Sequence, residues 1–81
     1  MKMHYVYMVK CADGTLYTGW TTDIEKRITA HNAKKGAKYT KSRTPVELYY
    51  LEEVENKSQA LKREAGIKKL TREEKLKMKN R

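Results

Sequence analysis

Tyr7, Tyr17, Arg27, His31 and Glu64 are the residues whose types and spacing could do chemistry in this sequence. Glu64 is the sharpest signal. Its segment reads as a helix, which turns by about 100° per residue. With Ala60 placed at 0°, Ile67 falls near about −20°, Leu61 near about 100° and Ala65 near about 140°. Glu64 falls near about 40°, in the middle of that apolar stripe. A carboxylate buried there needs a cation, a hydrogen-bond donor or a metal, because burial without one is costly. Two readings stay open. Glu64 is a ligand, or it reaches the rim and pairs with Lys68 one turn further on.

Arg27 and His31 are four residues apart on an earlier helix, so they share a flank. With Ile24 at 0°, they fall near about −60° and about −20°, bordering the core-facing stripe. A guanidinium offers planar paired donors that suit a phosphate. The plainer reading is a surface Arg beside a partly buried His. For Tyr7 and Tyr17 the choice lies between hydroxyl chemistry and core packing. The sequence has six Tyr, one Trp and no Phe, so every aromatic residue carries a hydrogen-bonding handle.

These side chains need elements to position them. Residues 4–10 read as a strand with apolar or aromatic side chains on both faces, Val6 and Met8 one way and Tyr5, Tyr7 and Val9 the other. Such a strand is expected to be central and covered on both sides. Asp13-Gly14 signals a hairpin, with the partner strand from Leu16 to Thr21. A two-residue turn would put Tyr7 and Tyr17 on opposite faces. A three-residue loop, Ala12-Asp13-Gly14 with Gly14 left-handed, puts them on the same face and Tyr7 opposite Gly19. The three-residue loop is the expected one.

Thr22 or Asp23 can cap a helix to about Asn32, with Ile24 and Ile28 as its apolar stripe. Gly36 marks the next break, and residues 37–44 read as a basic loop or a single helical turn. Pro45 precedes a strand over about 46–54 that carries Val46, Leu48, Tyr50 and Leu51. Asn56 or Ser58 caps a helix over about 59–69. Thr71 with Glu74 forms a capping box opening a basic helix over about 72–79. The order is β-β-α-β-α-α, which places the chain in the α+β class as a single domain over residues 1–81.

Composition narrows the function classes. The chain has 81 residues and a net charge of +9. No apolar run approaches the roughly 20 residues of a membrane span, and no secretory signal is visible at the start. Cys11 is the one cysteine and lacks the Cys/His spacing of a zinc site. A cytoplasmic location is the expectation. The positive excess points to an anionic partner, with nucleic acid foremost. Residues 1–33 carry only +1, while 34–43 carry +5, 44–56 carry −4 and 57–81 carry +7. Lys34, Lys35, Lys38, Lys41, Arg43, Lys68 and Lys69 are therefore the candidate nucleic-acid-binding residues. The plain alternative is a set of solvated lysines.

Taken together, the residues resemble the GIY-YIG nuclease superfamily. Tyr5-Val6-Tyr7 stands where its first motif belongs and Tyr17-Thr18-Gly19 where its second does. Thr21-Thr22-Asp23, then Arg27 and His31, look like the segment entering the family's first helix, and Ala60 to Glu64 look like the helix carrying its acidic residue. The likeness covers about residues 4–70 and is greatest to small bacterial stand-alone members. The first motif begins with Tyr5 in place of Gly, and Trp20 follows the second where some members have Lys.

The resemblance implies a small three-stranded antiparallel sheet flanked by helices. It also implies divalent-metal-dependent hydrolysis of phosphodiester bonds, on DNA more than on RNA. Tyr7 would then be the general base or help activate water, and Tyr17 would hold water or phosphate. Arg27 would stabilise phosphate charge, His31 would assist, and Glu64 would ligate a single Mg²⁺ or Mn²⁺. Mg²⁺ commonly takes one or two carboxylates and keeps its waters, so a lone Glu suffices. The rival readings are a nucleic-acid-binding module of the same fold with little catalysis, and a protein-interaction adaptor using the acidic strand. A protein partner supplying specificity is a further expectation.

Overall fold

The segment from His4 to Lys10 has no polar face to offer to water, and the fold covers it on both sides. The computed structural model describes residues 3–81; Met1 and Lys2, part of the expected domain, lie outside the described residues. Strand β1 (His4–Lys10) is the middle of a three-stranded antiparallel sheet, between β2 (Leu16–Thr21) and β3 (Glu47–Val54). Helices α1 (Ile24–Asn32), α2 (Lys57–Lys68) and α3 (Arg72–Leu76) complete the expected order. Val6 and Met8 bury themselves on one face against Ala60 and Ile67 of α2 and Tyr49 of β3. Tyr7 and Val9 bury themselves on the other with Cys11 and Val46, flanked by Ile24 and Ile28 of α1. Each fully buried aliphatic side chain contributes about 1.5–3 kcal/mol.

The hairpin closes as expected through a three-residue loop. The Cys11 N–H donates to the Thr15 carbonyl at 2.8 Å, and Gly14 takes φ 85°. Asp13 holds the turn by accepting from the Thr15 N–H at 3.1 Å. The register that follows pairs Tyr7 with Gly19 and Val9 with Tyr17, so both tyrosines stand on the α1 face. On the other side of β1 the ladder slips by one residue. Met8 faces Tyr50 and Val9 faces Leu48, which leaves Tyr49 as the extra residue of a bulge. The bulge lets the uninterrupted apolar run Leu48–Leu51 serve both cores.

Helix starts follow their caps. Asp23 accepts from the Lys26 N–H, Asn56 from the Gln59 N–H, and Thr71 and Glu74 satisfy each other reciprocally. Several boundaries differ from expectation for tertiary reasons. β3 starts at Glu47 because Asn32 captures both backbone groups of Val46, at 2.7 and 3.1 Å. α3 ends at Leu76 instead of about residue 79. The Tyr49 hydroxyl donates to the Leu76 carbonyl at 2.7 Å, and the Asn80 side chain pairs with both backbone groups of Leu51 at 3.0 Å. Leu61, expected on the apolar stripe, is 44% exposed, since α2 inserts only the Ala60–Ile67 line into the core. No helix among the described residues is long and apolar enough to cross a membrane.

Gly19 is required by the close approach of Tyr7. A Cβ at position 19 would lie 2.6 Å from the Tyr7 hydroxyl oxygen and 2.9 Å from Cζ. Tyr7 is 1% exposed and hydrogen-bonded, so its ring has nowhere to retreat. Gly19→Ala should destabilise the protein by about 1–3 kcal/mol, read as a lower urea midpoint at unchanged slope. A wild-type midpoint would show that the Tyr7 ring yields freely.

Candidate active site

Register and helix phase together deliver one buried pair. β1 directs Tyr7 to the α1 face, and the last turn of α1 directs His31 back at it. The Tyr7 hydroxyl lies 2.8 Å from His31 Nε2 in a buried hydrogen bond. His31 is fully buried, deeper than the border position expected from the helical wheel. The cause is the following loop, which closes over the ring. A Cβ at Gly36 would lie 2.4 Å from His31 Nδ1, so only glycine permits that closure. Thr40, also fully buried, places its hydroxyl 2.8 Å from Nδ1. Sequence reasoning missed Thr40, since it lies in a basic loop without periodicity. The only signal was Gly36 shortly before it.

Tyr17 completes an aromatic corner. Its ring packs edge-on against His31 at 5.4 Å and stacks on Tyr39 at 5.9 Å. Tyr39 in turn lies under the Arg43 guanidinium at 4.1 Å. Arg27, half-buried on α1, makes no side-chain hydrogen bond or ion pair among the described residues. With Thr21, Thr22, Asp23, Lys26 and Ala30 it lines a depression of about 320 Å³. Arg27 is close enough to act on both members of the pair. Its charge opposes protonation of His31 and favours loss of the Tyr7 proton.

Glu64 stands on α2. Its side chain is 18% exposed, and it meets Lys68 at 3.4 Å across one helical turn. Its charge is nevertheless felt at the Tyr7 hydroxyl. The pairing reading of Glu64 is the one seen, through Lys68. Tyr7, Tyr17 and His31 are thus in direct contact, while Arg27 and Glu64 act on the Tyr7 hydroxyl through their charges.

The electrostatics set protonation states. Burial raises the Tyr7 pKa well above the tyrosine range, and repulsion from Tyr17 and Glu64 adds to this, against a lowering pull from Arg27. Arg27 alone therefore does not produce a phenolate. Burial lowers the His31 pKa, and Arg27 lowers it further, so the imidazole is neutral at pH 7.

The expected nucleic-acid-binding residues divide into two groups. Lys34, Lys35, Lys38, Lys41 and Lys69 are exposed, and among the described residues they form no salt bridge. Arg43 is instead engaged within the protein, on Asp13 at 3.0 Å and on the Tyr39 carbonyl at 2.8 Å. Lys68 is engaged by Glu64. Their charges are partly compensated for that reason. Asn80 belongs to the β3 edge and not to the cluster.

The profile of the GIY-YIG catalytic domain matches residues 3–78. The chain belongs to the GIY-YIG family. It is 59% identical over 78 residues to a UPF0213 protein of Staphylococcus haemolyticus, covering 96% of this chain and 95% of the relative. It is 60% identical over 79 residues to a UPF0213 protein of Syntrophus aciditrophicus, covering 96% and 91%. Among solved structures, an NMR structure of a protein from E. faecalis matches with TM-score 0.64 and 46% identity, over 95% of this chain and 82% of that one. Membership of this nuclease domain family supports a nuclease-type role with a nucleic-acid substrate, and the family generally uses a divalent metal.

The residues present fit such an ion. Among the described residues no three or more His, Cys, Asp or Glu side chains are grouped so as to hold a metal ion. Glu64 supplies a half-buried carboxylate with no hydrogen bond among the described residues. A single oxygen ligand suits Mg²⁺ or Mn²⁺, which retain water and use substrate phosphate oxygens.

The depressed His31 pKa makes stability depend on pH. The unfolded imidazole titrates near about 6.5, and the folded one lower. The folded form binds fewer protons, so this stability is complete above about pH 6.5 and declines as pH falls towards the folded pKa. Unfolding midpoints should fall over that interval, and His31→Phe should flatten the slope. An unchanged slope in the variant would assign the dependence to other groups.

Proposed function

We propose that the protein is a metal-dependent phosphodiesterase acting on DNA, with branched or damaged structures as the favoured substrates. The observation that carries this reading is the buried Tyr7–His31 hydrogen bond, within reach of the charges of Glu64 and of Arg27, which is unpaired among the described residues. Neutral His31 accepts at Nε2 and orients the Tyr7 proton away from the substrate side. The free lone pair of the Tyr7 oxygen then accepts a proton from the attacking water as the Tyr7 proton passes to His31. This coupled transfer needs no standing phenolate, which burial forbids.

Arg27 offers paired donors to the phosphate oxygens as charge develops in the transition state. Tyr17 donates its hydroxyl to the phosphate or holds the water. Glu64 would hold one Mg²⁺ or Mn²⁺, which supplies Lewis acidity and neutralises leaving-group charge. Lys34, Lys35, Lys38, Lys41 and Lys69, with Arg43 and Lys68 to the extent their partners release them, track the phosphate backbone. A protein partner would supply further specificity.

A second reading, a nucleic-acid-binding module with little catalysis, is favoured by the exposed lysines alone. Cleavage of branched, nicked and single-stranded DNA with Mg²⁺ or Mn²⁺ separates the two. The proposal expects cleavage, reduced roughly 10²–10⁴-fold in Tyr7→Phe and roughly 10²–10³-fold in Arg27→Ala, and abolished in Glu64→Ala. Absent wild-type cleavage with salt-sensitive binding that survives Glu64→Ala would favour the binding module.

A further inference from the structure

The hydrogen-bond chain does not stop at His31. Its Nδ1 meets the Thr40 hydroxyl at 2.8 Å, and that hydroxyl meets the Ala37 carbonyl at 3.0 Å. A carbonyl oxygen only accepts, so the single hydroxyl proton of Thr40 goes to Ala37. The hydroxyl can then only accept from Nδ1. A neutral imidazole carries one N–H, so Nδ1 holds it and Nε2 is left with the lone pair. Both side chains are fully buried, which excludes bulk water as a substitute partner.

We infer that Thr40 is a positioning residue that fixes the His31 tautomer with Nδ1 protonated and Nε2 ready to accept from Tyr7. The inference rests on the proposed role of His31 as the proton acceptor for Tyr7. The polarity of the chain runs from Tyr7 through His31 and Thr40 to Ala37, and the backbone carbonyl decides its direction. Once the Tyr7 proton has moved, Thr40 continues to accept from Nδ1–H and stabilises the imidazolium.

Thr40 is placed by contacts that do not involve His31. The turn holding it is built from the Thr40 N–H on the Ala37 carbonyl at 3.2 Å and the Arg43 N–H on the Thr40 carbonyl at 3.0 Å. Arg43 ties that turn to the β1–β2 hairpin through Asp13, and the Ala12 N–H meets the Arg43 carbonyl at 2.9 Å. The hydroxyl is thus a fixed acceptor to which the imidazole conforms. The opposite polarity, Thr40 donating to Nδ1, would take the hydroxyl proton off the Ala37 carbonyl and make the Tyr7 oxygen the acceptor of His31 Nε2–H, leaving the Tyr7 proton without an acceptor among the described residues.

Long-range proton–nitrogen correlation NMR on the full chain reads the His31 tautomer directly, above the pH where the ring protonates. The wild type and Thr40→Ser should show Nδ1–H, and Thr40→Val should move the ring towards Nε2–H. Cleavage by Thr40→Val should fall roughly 10–100-fold in kcat, by analogy with the hydrogen-bond partners of metal-bound histidines, with KM unchanged and the rate restored in Thr40→Ser. A wild-type Nε2–H tautomer would overturn the inference, and that spectrum decides even if Thr40→Val fails to fold. A folded Thr40→Val that keeps Nδ1–H would overturn it as well. A tautomer that switches without any change in cleavage upholds the assignment of Thr40 and removes His31 from the proposed mechanism.

Discussion

The structure turns on one buried hydrogen bond between Tyr7 of β1 and His31 of α1. Two polar side chains of this size enter a core only if each satisfies the other, because an unpaired buried donor or acceptor costs about 1–3 kcal/mol. Their meeting constrains three distant parts of the chain. Gly19 must lack a side chain so that the tyrosine can lie over β2, and Gly36 must lack one so that the loop can close on the imidazole. The hairpin loop must have three residues, since a slip of one would turn Tyr17 to the opposite face.

Around that bond the protein divides its labour between the two faces of a thin sheet. The α2 face holds a conventional aliphatic core built from Val6, Met8, Ala60 and Ile67. It supplies much of the apolar burial and leaves the α1 face free to hold polar groups. The α1 face carries the aromatic and hydrogen-bonded cluster, and the charges of Arg27 on α1 and Glu64 on α2 are felt at Tyr7. Burial keeps the Tyr7 proton on and the His31 ring neutral, so the pair rests in the state from which a coupled proton transfer can start. The net charge of +9 lies mostly outside this centre, on the 34–43 loop and the C-terminal third.

Much of this architecture was legible because it is local. The doubly apolar pattern of residues 4–10 marked a central strand, Asp13-Gly14 marked the hairpin, and the Thr71–Glu74 spacing marked a capping box that the structure contains. The placement of Glu64 on the helical wheel foretold a half-buried carboxylate. What escaped was set by contacts between remote segments. Asn32 moves the start of β3, and Tyr49 and Asn80 shorten α3. The depth of His31 depends on a loop whose composition reads as solvated, and Thr40 within it has no periodic or spacing signal. Arg43 reads in the sequence as a candidate phosphate ligand, and its pairing with Asp13, thirty residues away, which ties the loop to the hairpin, has no local signal.

The account treats Tyr7 and His31 as one functional unit, and a double-mutant cycle on the DNA cleavage rate tests that claim most directly. Groups that act together lose their effect together. With Tyr7→Phe, His31→Phe and the double variant all folded, the double variant should cleave no more slowly than the slower single variant. Losses that multiply, with the double variant slower by the product of the two single effects, would show that the residues act independently and would contradict the account.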